Sequence, residues 1–208
     1  MYAIRIALWC AVALALFVLG ALTVGGFPLP NLGRDSSARL EGSELEPGAA
    51  LGGAFTLVDH RGEPIDEAIF RERPSVTLFG FTHCPDVCPT GLMRMARWAE
   101  ELGEDAEGLR FVFVTVDPER DTPEVMGDYV AAFSDQIVGV TGEPQAVHDM
   151  VKDYKIYSAK VPLEGGDYTM DHTASMILQD GEGNFVGTIA SEEASDVALA
   201  KLRRLVAG

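Results

Sequence analysis

Two cysteines four positions apart, Cys84 and Cys88 in the stretch FTHCPDVCPT (81–90), are the residues of this 208-residue chain best suited to chemistry. The third cysteine, Cys10, lies in an uncharged apolar run and reads as a small buried hydrophobe. A pair this close closes a loop too short to stabilise a fold much, which makes a purely structural crosslink a poor account of it. A redox couple, a nucleophile with a bystander and two arms of a metal site remain. The pair directly follows SVTLFGF (75–81), a continuous apolar run of the kind buried on both faces of a sheet. It precedes a helical stretch, TGLMRMARWAEELG, read from about Thr90 to Leu102. That order places the thiols at the C-terminal edge of a sheet, where α/β folds carry their sites. A helix N-terminus there lowers thiol pKa, and thiolate is what both disulfide exchange and soft-metal binding require. Three residues, Pro85, Asp86 and Val87, separate the sulfurs, one more than thiol oxidoreductases of such folds carry. The wider bite can clamp a metal ion and can still close into a disulfide, so spacing alone leaves metal and redox open.

Two thiolates make an incomplete metal site. A Cys, Cys, His set suits trigonal copper(I) or, with a weaker fourth ligand, copper(II). The histidines are His60, His83, His148 and His172. His148 falls among charged residues of a helix and belongs to its surface, and His60 sits in a turn. His83 adjoins Cys84, but neighbours in an extended segment point to opposite sides, so it is an outer contact or an exposed residue before it is a ligand. His172, in YTMDHTASM, is read as the start of a late hairpin that thioredoxin-like topology brings beside the cysteine loop. Alone, a histidine at a strand start is ordinarily a satisfied structural residue. Met93 and Met95 are two apart on a helix and cannot share a face, so core packing claims at least one of them.

The elements that must position these residues read as follows. AFTLVDHRGEPI forms a β-hairpin around Asp59-His60-Arg61-Gly62. SVTLFGF, LRFVFVTVD and IVGVTG are strands, each followed by a helix; Thr122 and Pro123 mark one helix start, and a Glu-Pro pair marks the next. That alternation implies a parallel α/β core. The polar stretch SAKVPLEGGDYTMDH reads as a loop. TASMILQD and NFVGTIA then form a hairpin through Gly181-Glu182-Gly183, and a last helix runs from Ala194 to Val206. The fold class is α/β, thioredoxin-like (peroxiredoxin-like), with an N-terminal β-hairpin.

Ahead of this domain, the uncharged run Ile6 to Phe27 is long enough to cross a bilayer as a helix and longer than the apolar core of a cleavable signal. Residues 1–27 are therefore expected to be a retained transmembrane anchor, 28–50 a flexible tether rich in Pro, Gly, Ser and acid, and 51–208 the folded domain. About 23 residues of such coil reach on the order of 25 Å. The short N-terminal tail and large C-terminal domain favour the tail inside and the domain exported. A net charge of −16 and the lack of a Lys/Arg stripe exclude nucleic-acid backbone binding.

Three stretches taken together, FTHCPDVCP, FVTVDPERDTPEVMGDYVAAF and YTMDHTASMILQDGEGNFVG, resemble the Sco/SenC family of membrane-anchored, thioredoxin-fold copper proteins involved in cytochrome c oxidase assembly. The similarity runs from about Leu51 to the C-terminus, in the family's order and approximate spacing. It implies that Cys84 and Cys88 match the family's metal-binding cysteines and His172 its distal histidine, with copper(I) or copper(II) as the metal. Asp117 to Pro123 match the family's Asp-Pro-x-Arg-Asp-Thr-Pro stretch and are assigned to structure and the site rim. Asp86 and His83 are expected to contact the ligands from outside, Asp86 with a weak oxygen contact to copper(II) as an alternative. The implied function is a copper metallochaperone that delivers copper to the dinuclear copper site of the oxidase. Alternatives are a thiol:disulfide reductase, with Cys84 as nucleophile and Cys88 resolving, and a copper or redox sensor. Partners would be the apo copper-site subunit, a thiol reductant that keeps the cysteines reduced in an oxidising compartment, and another copper chaperone. The expected location is a bacterial inner membrane with the domain in the periplasm. A mitochondrial inner membrane fits less well, because no long Arg-rich, acid-poor leader precedes the anchor.

Overall fold

The computed structural model describes residues 45–208; the expected anchor and most of the expected tether lie outside the described residues. Within them no helix is long and apolar enough to cross a membrane. The strands and helices in chain order are β1 (Thr56–Asp59), β2 (Pro64–Asp66), β3 (Ser75–Gly80), α1 (Val87–Leu102), β4 (Arg110–Thr115), α2 (Pro123–Ala131), β5 (Ile137–Thr141), α3 (Pro144–Asp153), β6 (Ser158–Pro162), β7 (Tyr168–His172), β8 (Met176–Gln179), β9 (Phe185–Ile189) and α4 (Ser195–Ala207). Seven strands form one sheet in the order β2-β1-β5-β4-β3-β8-β9. Its centre, β3, β4 and β5, is parallel, and β1 and β8 flank it antiparallel. Every residue of β3 is buried, as is every residue of β4 after Arg110, which is why both read as unbroken apolar runs. This is the α/β, thioredoxin-like arrangement expected from the sequence, with the N-terminal hairpin β1-β2 in place.

Helix α1 lies on the sheet through Leu92, Met95, Trp98, Ala99 and Leu102, a helical-period stripe that is buried throughout. Gly91 permits the close approach, because a Cβ there would come 2.7 Å from Leu78 Cδ2. Met95 is fully buried and Met93 half exposed, so the two methionines do occupy different faces. Trp98 Nε1 donates to Ser195 Oγ at 3.0 Å and pins α1 to α4. The helix starts of α2 and α3 are the ones the sequence marks. Thr122 Oγ1 accepts from Val125 N, and Glu143 Oε2 accepts from Gln145 N and Ala146 N.

Three boundaries differ from the sequence reading. Helix α1 starts at Val87 rather than Thr90, so Cys88 and Pro89 belong to its first turn, where proline's missing N–H leaves no helical bond unmade. The stretch 158–172, read as a loop, is a second hairpin: β6 and β7 pair antiparallel from Ser158↔His172 to Pro162↔Tyr168 and form a two-stranded sheet of their own. Gly165 and Gly166, at φ +96° and +89°, supply its turn. His172 therefore ends β7 instead of opening β8. The folded unit also begins before residue 51. Leu45 packs on the core, Gly48 N donates to Phe185 O at 2.7 Å and Phe185 N to Ala49 O at 2.9 Å. The edge strand β9 thus takes up main chain that composition alone assigns to the tether.

Candidate metal centre

Strand β3 ends in a turn closed by Cys84 N donating to Phe81 O at 3.2 Å, which swings Cys84 back over the start of α1. At the N-cap position of that helix the Asp86 side chain accepts no backbone hydrogen bond. The sulfur of Cys84 does this work instead, accepting from Cys88 N at 3.4 Å. Cys84 ionises far more readily than an ordinary thiol, its pKa brought down to about 5. The Cys88 thiol donating to it is the main cause, and the N–H groups of Cys88, Asp86 and Val87 add to it against the opposing effect of burial. Cys88 is pushed the other way, because it supplies that shared proton and is buried. The reduced pair is thus one thiolate and one thiol, with neither sulfur in a disulfide.

Gly80 makes the seat of Cys88. A Cβ at Gly80 would stand 2.6 Å from Cys88 Sγ and 2.7 Å from the Phe113 ring. The last residue of the central strand has to be glycine for the sulfur to lie against the sheet.

His172 arrives from the opposite side. Its Nδ1 lies 3.0 Å from the carbonyl of Thr173, a group that can only accept, so Nδ1 carries the proton. Nε2 is left as the free lone pair, 3.6 Å from Cys88 Sγ. The Phe81 ring meets the imidazole edge-on at 5.7 Å and fixes its plane. One donor atom each from Cys84, Cys88 and His172 lie within 4.8 Å of one another, the one such group of three potential ligands among the described residues. Two sulfurs and an imidazole nitrogen converging in this way form a donor set for a soft ion in three-coordinate geometry.

The other candidates fall outside this group. His83 is exposed, its Nδ1 3.1 Å from Thr82 Oγ1. Asp86 is exposed too; its carboxylate accepts from Thr90 Oγ1 at 3.5 Å, and what reaches Cys84 is its backbone N–H. His60 Nδ1 accepts from Gly139 N at 3.1 Å and ties the β1-β2 turn to β5, while His148 is exposed on α3.

Sequence reasoning assigned Asp117 to Pro123 to structure and the site rim without separate roles, and passed over Tyr168. Asp121, wholly buried, accepts from Thr82 N at 3.1 Å, Thr82 Oγ1 at 2.7 Å and Thr115 Oγ1 at 2.6 Å, which anchors the cysteine loop to β4. Burial pushes its carboxyl pKa up, with those hydrogen bonds pulling against it. Asp117, also buried, pairs with Arg120 and accepts from the Tyr168 hydroxyl at 2.8 Å. Both acids lie in the stretch assigned to structure and the site rim, and their burial gives that assignment its content. The signal that could have found Tyr168 is its place four residues before His172, on the same face of one strand.

Residues 43–207 match the family model SCO1/SenC. Among curated relatives, the mitochondrial protein SCO2 of Saccharomyces cerevisiae is 36% identical over 160 residues, covering 76% of this chain and 53% of its own length. The chain thus spans about half the length of that relative. Among solved structures, copper-bound ScoI of Bradyrhizobium japonicum is 39% identical with a TM-score of 0.70, covering 75% of this chain and 99% of that one. Copper-bound ScoI of Arabidopsis thaliana is 32% identical with a TM-score of 0.71, covering 76% and 99%.

Proposed function

Since the chain belongs to the SCO1/SenC family, we propose that it binds one copper ion through Cys84 Sγ, Cys88 Sγ and His172 Nε2 and delivers it to the copper-site subunit of cytochrome c oxidase. The observation that carries this reading is the convergence of those three donors within 4.8 Å of one another. Their protonation suits it. Cys84 ionises readily, His172 with Nδ1 turned to the Thr173 carbonyl can offer Nε2, and Cys88 holds its proton, so copper binding is expected to release a proton from Cys88. Two thiolates and one neutral imidazole favour copper(I) over harder divalent ions.

The rest of the chain fits delivery at a membrane. The run Ile6 to Phe27 would anchor it, the following residues would tether the domain, and an exported domain would need a thiol reductant to keep Cys84 and Cys88 reduced. A bacterial inner membrane with the domain in the periplasm is the location proposed.

A second reading starts from the placement of Cys84 Sγ, which accepts from Cys88 N at 3.4 Å, lies within 4.8 Å of Cys88 Sγ and has its pKa lowered there. Its thiolate would attack a disulfide on the oxidase subunit and form a mixed disulfide. Cys88 would then lose its proton and displace the subunit's second sulfur, leaving a dithiol product and a Cys84–Cys88 disulfide. The raised pKa of Cys88 makes it a slow resolving thiol, and this route gives His172 no part.

Anaerobic copper(I) titration of the reduced full-length chain, with X-ray absorption on wild type and His172→Ala, separates the two. One equivalent held by two sulfurs and one nitrogen, the nitrogen lost in the variant, is expected. Sulfur-only binding that the variant leaves unchanged would overturn the three-ligand site. Disulfide turnover unaffected by His172→Ala would then favour the reductase.

A further inference from the structure

We infer that the loop Asp117–Asp121 sets the distance between the two halves of the copper site, and that Asp117, Arg120 and Tyr168 are positioning residues for His172. This deepens the copper-binding reading and rests on it. The hairpin β6-β7 belongs to its own two-stranded sheet and shares no ladder with the seven-stranded one. An isolated hairpin of this size is marginal in water, so side chains must hold it against the domain.

At its base, Thr173 N donates to Tyr157 O at 3.0 Å and Tyr157 N to Thr173 Oγ1 at 3.1 Å, which closes the hairpin on itself. Attachment to the domain comes from the face of β7 that carries Tyr168, Met170 and His172. Met170 is buried in the core. Tyr168 is held from three directions: its hydroxyl donates to Asp117 Oδ1 at 2.8 Å, its carbonyl accepts from Arg120 Nη1 at 3.0 Å, and the Arg120 guanidinium lies 3.9 Å over its ring. Arg120 Nε in turn donates to Asp117 Oδ2.

The same loop grips the cysteine side through its other acid. Asp121 binds Thr82 by two hydrogen bonds, two residues ahead of Cys84, and its own carbonyl accepts from Thr141 Oγ1 at 2.6 Å. Asp117 N donates to Thr115 Oγ1 at 2.9 Å, so the loop is fixed to the end of β4. One five-residue segment, seated on the central sheet, therefore holds the sulfur half with Asp121 and the nitrogen half with Asp117 and Arg120. Releasing the second grip leaves the cysteines in place and withdraws His172.

Tyr168→Phe and Arg120→Lys test this in the full-length chain. The first removes one hydroxyl, and the second keeps the charge but loses the fork that reaches both Asp117 and the Tyr168 carbonyl. Copper(I) affinity by anaerobic competition is expected to fall about tenfold in Tyr168→Phe, in line with one lost hydrogen bond to a charged acceptor. X-ray absorption should show two sulfurs retained and the nitrogen weakened in both variants, with added imidazole restoring it. The loss should not add to that of His172→Ala in the double variant. Amide exchange of the copper-free protein should quicken across β6-β7 and stay unchanged in β3 and β4. Wild-type affinity and nitrogen ligation in both variants, or a loss that adds fully to His172→Ala, would overturn the inference. If exchange quickens while copper binding stays as in wild type, the latch exists but does not set the site, which also overturns it. Failure of the copper reading has a different signature: His172→Ala itself then binds as wild type does.

Discussion

The two sides of the site are built by different means. Cys84 and Cys88 stand where a fully buried central strand meets a helix, and their geometry follows from backbone. A turn bonds Cys84 N to Phe81 O, the first turn of α1 supplies N–H groups, and Gly80 makes room for a sulfur. His172 stands on a hairpin outside the main sheet, held by a phenol, a guanidinium and a carboxylate. A ligand fixed by the core can move only if the core moves. One fixed by a few side chains can leave by breaking those alone, which suits the delivery proposed for this chain.

The sharpest way to break this comparison is to remove a sulfur. Cys84→Ser or Cys88→Ala should lower copper(I) affinity by more than the roughly 100-fold that loss of an outer partner costs at metal sites, measured by anaerobic competition. If either loss were no larger than that of His172→Ala, the cysteine side would not be the dominant half. Next in size is Gly80→Ala. Its Cβ would meet Cys88 Sγ and Phe113, so melting should show a destabilisation of about 1–3 kcal/mol from overpacking, with weakened copper binding alongside. A neutral result in both assays would show that the cysteine seat yields as easily as the hairpin.

The same contrast explains what could be read from sequence. β3 and β4 are legible because strands buried on both faces must be apolar at every position, and the starts of α2 and α3 because Thr122, Pro123, Glu143 and Pro144 are cap and first-turn residues. Cys84 and Cys88 announce themselves by type and spacing. β6-β7 does not, because most of its residues face water and its only ladder partner is itself, so no apolar run marks it and the alternation is confined to Tyr168, Met170 and His172 on β7. The residues next to His172 do not mark it as a ligand any more than those next to His60, which satisfies a backbone amide; thioredoxin-like topology placed His172 near the cysteines, and family resemblance made it a ligand candidate. Helix α1 begins at Val87, three residues ahead of the sequence reading, and takes Pro89 into its first turn, where a missing N–H costs nothing.

A smaller effect concerns pH, and only the cysteine side should show it. The folded pKa of Cys84, about 5, lies below the ordinary thiol value of 9.0. A depressed pKa stabilises the fold fully above the unfolded value and loses that stabilisation as pH falls toward the folded one. The reduced, copper-free protein should therefore lose stability from pH 9 toward pH 5 relative to Cys84→Ser, as followed by thermal melting. Alkylation of Cys84 by iodoacetamide should also persist at pH 6, where an unperturbed thiol is nearly inert. A difference between the two proteins that is flat across that window would remove the thiolate from the apo site.

The smallest expected change separates the buried grip on the hairpin from its surface decoration. Lys160 Nζ lies 2.6 Å from Glu119 Oε2 and 4.6 Å over the Tyr168 ring, so on distance alone it resembles part of the latch. Both partners are about half exposed, whereas the Asp117 side chain is wholly buried and Arg120 largely so. Exposed ion pairs contribute about 0–1 kcal/mol, and salt screens them. Lys160→Ala should accordingly shift stability by no more than about 0.5 kcal/mol, an effect that disappears in high salt. Copper(I) affinity should remain as in wild type, against the clear loss expected for Tyr168→Phe. A Lys160→Ala variant that released copper as readily as Tyr168→Phe would move the hold on His172 out to the surface. The hairpin would then answer to ionic strength, and its attachment would no longer depend on the buried carboxylate of Asp117.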